Sequence, residues 1–423
     1  MRFLITPNLP TAYDRRMVEG LATALRECGQ YTVALQQPLR ESETAARCAA
    51  LGADVLLQIN RVPPVDPPLP ARTRHIAWFQ DVFPATAREI AGRVRSADIV
   101  YTLGDAKVLG LDGALPCRVG CLLTGIDEKV WTAAGGHARP SVDFSLCGYI
   151  PPPSRLSHSA LADLAWHVAG RCEDPLPASP PLRFRALRFL LRRGSVPRIA
   201  ASALREATRV IERLYRPLRG ELDVRRLSVA ACEAVDVALS ATNRRSLSPE
   251  QRSALSFCLD NLVRERPRMV DRLALVRLAL DVSSSLSLYG RGWNLHAISR
   301  SRYKGFLSSP SELAAVYHGS RINLGNNTHG LGLHSRTFEC MAVGGLIFMH
   351  ASANDEKPGG MLTAFEPGVH FGQYTPDDFA EEAARWLHDE TRRIEAGVRA
   401  AALVRANHTW HHRALQILSD LER

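Results

Sequence analysis

Two short stretches hold side chains whose types and spacing suit an anion. Residues 288–293 read LYGRGW, so Gly290 and Gly292 let a backbone come close to a ligand while Arg291 between them offers a guanidinium for phosphate. Residues 323–348 read NLGNNTHGLGLHSRTFECMAVGGLIF, a strand that passes through a polar, glycine-bearing loop into a helix. Such a loop gathers free backbone N–H groups and the positive end of a helix dipole at one spot. His334, Ser335, Arg336 and Thr337 fall at that helix start, where a pyrophosphate would meet backbone donors, a hydroxyl and a guanidinium together. Glu339, nearly one turn further in, suits a ribose diol, whose hydroxyls donate to a carboxylate. Taken singly, Ser335 reads as an N-cap and Arg336 as a surface cation; their clustering favours the anion site.

In an open parallel sheet a ligand lies beyond the carboxyl ends of the strands, so the elements that must position these loops are alternating strands and helices. Short apolar runs at Phe3–Ile5, Thr32–Leu35, Asp54–Ile59, His75–Phe79 and Asp98–Leu103 supply the first set, with helical spacing at Met17, Val18, Leu21, Ala22 and Leu25 and again over 86–96. This predicts a doubly wound α/β unit. Residues 6–14, TPNLPTAYD, lack the G-x-G-x-x-G fingerprint, which excludes a nicotinamide-binding first domain. RVPPVDPPLP (61–70) reads as a surface loop, and AAGGHARPS (133–141) as a hinge before a strand at Asp143–Ile150. From Pro151 to about Pro267 the pattern is long helices with no strand. A second α/β unit follows: a helix near 268–280, strands at 286–289, 321–324 and 346–349, helices over 311–318, 336–343, 377–388 and 391–405, and a terminal amphipathic helix at 410–421.

The 423 residues exceed one ordinary core and predict two or more domains. With 46% apolar and 23% charged residues the chain reads as globular, not disordered, collagenous or membrane-spanning. Lys107, Lys129, Lys304 and Lys357 are its four lysines and its other basic residues are arginine, a bias that suggests a G+C-rich bacterial genome. The net charge of +10 suits an anionic partner, but a solvated arginine-rich surface is preferred over nucleic-acid recognition. Nine cysteines without a C-x-x-C, and an N-terminus without a secretory apolar stretch, predict a reducing, cytoplasmic setting. Cys117 and Cys121 have no partners at zinc spacing, so no metal and no resident cofactor are expected. The segment RFRALRFLLRRGSVPR (183–198) interleaves Phe and Leu with cations. An ordinary amphipathic helix is the preferred reading, and peripheral contact with an anionic membrane the alternative.

The C-terminal part resembles the nucleotide-sugar-binding half of GT-B glycosyltransferases, most of all the CgeB-like group. The resemblance runs in order through LYGRGW, YKGFLSSPSELAAVYHGSRINLG (303–325), HSRTFECMAVGGLIF (334–348), FEPGVHF (365–371) and NHTWHHRALQIL (407–418). HIAWFQD (75–81) and LLTGIDEKVW (122–131) resemble N-terminal segments of such enzymes more loosely. The resemblance implies two Rossmann-like domains facing a cleft: an acceptor-side domain over 1–135, a donor-binding domain over 141–405 interrupted by a helical insertion at 152–267, and a terminal helix, 406–423, packing back toward the first domain. HTWHH would then pack in that last helix. It also implies transfer of a sugar from a nucleotide diphosphate donor to an acceptor hydroxyl. Arg291, Lys304, His334 and Arg336 are the candidates to neutralise the leaving diphosphate, beside Gly290, Gly292, Gly305, Ser335, Thr337 and Glu339 around the donor. If the transfer inverts, Asp81 at a strand's carboxyl end is the candidate general base, with a turn cap near Pro84 as its plain alternative. Retaining relatives often carry two glutamates eight positions apart; Glu339 fits the second, but Leu331 stands at the first. A nucleotide-sugar epimerase or a noncatalytic scaffold of the same fold are the competing readings, separated by whether acceptor-dependent release of nucleotide diphosphate occurs.

Overall fold

The computed structural model describes residues 1–80, 90–111, 113–132, 140–151, 198–240 and 249–423. The first apolar run forms β1 (Arg2–Thr6), followed by α1 (Ala12–Glu27), which Thr11 caps by accepting from the amide of Asp14. Then come β2 (Tyr31–Ala34), α2 (Glu41–Leu51), β3 (Val55–Ile59), β4 (Arg74–Phe79), β5 (Ile99–Thr102), β6 (Arg118–Cys121) and the short α3 (Glu128–Thr132). The strands pair in parallel in the order β2-β1-β3-β4-β5-β6. β3 and β4 are buried almost throughout, as strands covered on both faces must be.

The second sheet begins with β7 (Val142–Cys147). The chain then runs through α4 (Arg198–Leu214), α5 (Val224–Ser240) and α6 (Pro249–Val282) before β8 (Leu286–Tyr289), β9 (Tyr303–Gly305), α7 (Pro310–His318), β10 (Ser320–Gly325), α8 (Ser335–Ala342), β11 (Ile347–His350), β12 (Gly372–Tyr374), α9 (Phe379–His388) and α10 (Glu390–Asn407). Its order, β12-β11-β10-β7-β8-β9, is the 3-2-1-4-5-6 order of dinucleotide-binding sheets when counted from β7. The switch point lies between β7 and β10.

Pro267 does not end a helix. It sits inside α6, whose 34 residues span roughly 50 Å. Its ring removes the bond to the Val263 carbonyl, but both halves are held by packing: Leu255, Leu259 and Val263 against α4 and α5, and Met269, Leu275, Val276 and Ala279 against Phe144 and Leu288 of the sheet. α6 therefore ties the helical segment rigidly to the second sheet. Residues 152–197, which include most of the arginine-rich stretch at 183–198, lie outside the described residues.

α11 (Trp410–Glu422) packs on the first unit, not the second. Trp410 meets Trp78 edge to face at 6.2 Å, Arg413 Nε donates to the Thr124 carbonyl at 3.1 Å, and Tyr101 donates its hydroxyl to Asp420 at 2.7 Å. His408, just before it, stacks on Phe338 at 4.5 Å, and His412 joins the cap of α11 at Thr409, so these histidines pack. No helix among the described residues is long and apolar enough to cross a membrane.

Candidate functional site

The carboxyl ends of β7, β8 and β9 meet backbone to backbone. The Gly148 amide donates to the Tyr289 carbonyl and the Gly290 amide to the Gly305 carbonyl, each at 2.9 Å. A Cβ on Gly290 would stand 2.4 Å from the Gly148 carbonyl oxygen, so only glycine lets the two loops approach this closely. A Cβ on Gly148 would in turn stand 2.1 Å from Nη1 of Arg336.

Two guanidiniums converge there. Arg336, in the first turn of α8, donates from Nη1 to the Cys147 carbonyl at 2.7 Å. Arg272, on α6, reaches the same glycine, lies 5.2 Å from the Tyr149 ring centre and donates from Nε to Asn326 at 3.4 Å. Its Nη1 is buried without a hydrogen-bond partner. Burial, and then the positive charges of Arg336 and Arg268, hold Arg272 well below the usual arginine range. Like charges brought together out of water are costly, and an anion between them relieves both the repulsion and the unmade bond.

His334 is the N-cap residue of α8 and makes no side-chain capping bond. Burial, Arg336 and Arg272 push its imidazole down to about 3, so at neutral pH it is uncharged. This corrects its expected role as a cation: the two arginines carry the charge, and His334 can offer one hydrogen bond as donor or acceptor. Ser335 is buried, and with Arg336 it contributes helix-start amides that have no intrahelical acceptor. Thr337 donates its hydroxyl to the Gly332 carbonyl at 2.7 Å and braces the loop. Glu339 is 4% exposed; burial raises its pKa, while Arg16 of α1 and Arg336 pull it back.

Arg16 thus belongs to the opposite sheet's domain yet acts on Glu339. The carboxyl ends of the two sheets face one another: the Asp105 amide, past β5, donates to the Pro358 carbonyl at 2.6 Å, and Leu331, past β10, packs with Ala77, Phe79 and Val100.

With this geometry the comparisons can be read. The chain superposes along its whole length on an Anabaena protein, Alr3699/HepE, solved with UDP and glucose, at a TM-score of 0.50, 10% identity and 99% coverage of that chain. The fold is GT-B. Residues 252–419 match a family described as glycosyl transferase-like. A glycosyltransferase from Rickettsia africae is also similar, at a TM-score of 0.48, 9% identity and coverage of 100% of this chain and 97% of that one. No curated protein matches the chain in sequence.

Of the residues singled out from sequence, Gly290, Gly292, Gly305, His334, Ser335, Arg336, Thr337 and Glu339 lie in or directly behind the loops at the switch point. Arg291 instead places its guanidinium 5.2 Å from the Phe306 ring centre. Lys304 is not among the groups that converge at the switch point: it is exposed and lines a hollow with Val142 and Leu286, which begin β7 and β8. Asp81 lies outside the described residues; Gln80, which precedes it at the carboxyl end of β4, donates its backbone amide to Asn60 Oδ1 at 2.6 Å. Arg272 went unrecognised. Its signal was the pair Arg268 and Arg272, four apart and so on one helix face, but nothing in the chain said that this helix returns to a strand ending more than a hundred residues earlier. Among the described residues no group of three or more His, Cys, Asp and Glu side chains gathers as for a metal.

Proposed function

We propose that this protein is a glycosyltransferase that takes a sugar from a nucleotide diphosphate donor to an acceptor hydroxyl, with the diphosphate between Arg272 and Arg336 at the start of α8. The observation that carries the proposal is the convergence of two guanidiniums, a half-buried one on Arg336 and a buried one on Arg272 with an unmade bond, on Gly148 at the switch point. As the bond from the anomeric carbon to the diphosphate breaks, negative charge grows on the leaving oxygen, and fixed cations and helix amides stabilise that growth without reorganising. Glu339 would accept from the ribose hydroxyls, with Arg16 across the cleft opposing the rise that burial imposes on its pKa. For the acceptor's proton we propose Asp81, one residue past the carboxyl-end residue Gln80. The CgeB-like group is the proposed subtype, and the bacterial cytoplasm the proposed setting.

The test is thermal unfolding against a panel of nucleoside diphosphates and their sugars, beginning with UDP, which the Anabaena neighbour was solved with. One nucleotide should stabilise the chain selectively. Arg272→Ala and Arg336→Ala should each weaken it about 10- to 100-fold, the worth of one or two charge-assisted hydrogen bonds. Asp81→Asn should leave this binding intact and lower turnover about 100-fold or more. No stabilisation by any nucleotide would remove the proposal.

A further inference from the structure

Lys304 raises a separate question, because the site just described does not use it. Strand alternation turns Leu286 and Leu288 of β8 into the core and Ser287 to the other face, with Ser285 just before the strand. Arg302, which ends the 3-10 turn before β9, and Lys304 of β9 both line the hollow beside this face. The connection between β8 and β9 consists of two short 3-10 turns, Trp293–Leu295 and Arg300–Arg302, in place of a crossover α-helix. The sheet face such a helix would cover is therefore left open near the amino ends of the strands. There lies a hollow of about 380 Å³, lined by Ser284, Ser285, Ser287, Ser301, Arg302 and Lys304.

Its chemistry is one-sided. Four hydroxyls and two cations line it, and no carboxylate does. Among the described residues neither Arg302 nor Lys304 has an ion pair; Arg302 reaches only Ser301 Oγ, at 3.1 Å, and its Nε is buried without a partner. The adjacent acid, Asp143, is already held by Arg321 and by the Ser283 hydroxyl, each at 2.7 Å. A sheet face left bare for solvent has no need of a buried guanidinium nitrogen without a partner.

We propose that this hollow is a second anion site, which takes the phosphate of a small phosphomonoester. Arg302 and Lys304 supply the charge, the serines donate hydroxyls, and a volume several times that of a water leaves room for the organic part of the ligand. The site takes in the first residues of β7 and β8, whose carboxyl ends carry the donor loops, so its ligand is not the donor's diphosphate.

The full chain carrying Arg336→Ala, which disables the donor site, is titrated with glycerol 3-phosphate, with inorganic phosphate and with chloride at constant ionic strength, read by thermal unfolding and by calorimetry. Saturable binding of glycerol 3-phosphate, absent with chloride, is expected, with inorganic phosphate binding more weakly. Adding Lys304→Glu, a reversal at an exposed position that leaves the fold alone, should weaken it at least tenfold, and adding Arg302→Ala should do the same. Inorganic phosphate binding as tightly as the ester would overturn the phosphomonoester assignment. Absence of saturable binding, or binding that survives both substitutions, would overturn the site.

Discussion

His334 and Glu339 show how burial sets the working state of single groups. The His334 imidazole is held down at about 3, far below an ordinary histidine, because burial and then two guanidiniums oppose its charge. A bound diphosphate reverses the sign of its surroundings, so its pKa should rise on titration with the cognate nucleoside diphosphate. Arg336→Ala should raise it in the free chain too, and both shifts are measurable from the imidazole's NMR signals. Glu339 is the opposite case. Its folded pKa is raised, so the folded state holds the proton more tightly than the unfolded chain does. Stability therefore falls as pH rises from about 4.3, the unfolded value, through the folded one. Glu339→Gln should be more stable than the parent at neutral pH, the gap closing below about pH 4, while its affinity for donor drops. Urea unfolding at pH 4 and pH 7.5, beside a binding titration, checks both halves.

At the scale of elements, α6 joins the helical segment to the donor loops through adjacent residues. Asp271 is fully buried and accepts from the Tyr215 hydroxyl and the Leu218 amide, each at 2.8 Å, and from Asn326 Nδ2 at 3.1 Å. Asn326 in turn accepts from Arg272, so the turn after α4, the loop after β10 and the proposed phosphate site form one network. Removing the Tyr215 hydroxyl leaves a buried carboxylate under-bonded, and Tyr215→Phe should cost about 1–3 kcal/mol in denaturant unfolding and weaken donor binding although residue 215 lies outside the donor loops. None of this was legible in the sequence. The start of α8 was, since a glycine-bearing loop running into Ser-Arg-Thr marks its own boundary. The main strands were also legible, because each is a continuous apolar run. β6 (RVGC), β9 (YKG) and β12 (GQY) hold no continuous apolar run that could register, and Pro267 read as a boundary because its cost is local while the packing that offsets it comes from two distant clusters.

The whole molecule holds its two sheets carboxyl end to carboxyl end by contacts of two kinds. α11 crosses from the second unit and buries Trp410 in the first, where a Cβ on Gly20 would stand 2.3 Å from the indole. Trp410→Ala should therefore cost about 3–5 kcal/mol, seen as earlier unfolding of the first unit. Leu331 is the second kind. Leu331, eight positions before Glu339, is an apolar side chain, 5% exposed, which packs among Phe79, Ile90 and Val100 and lies against Gly104. That placement explains the leucine physically: a carboxylate there would be buried in an apolar cluster between the two halves with no partner to offset its desolvation. The contact is small and lies on loops, so its loss should loosen the approach of the two sheets without unfolding either. Leu331→Ala should then enlarge the radius of gyration in small-angle scattering and lower acceptor-dependent turnover, while the affinity for nucleotide, which we assign chiefly to Arg272 and Arg336 of the second half, stays within about twofold. An unchanged radius of gyration with unchanged turnover would show that Leu331 does not govern how the halves meet.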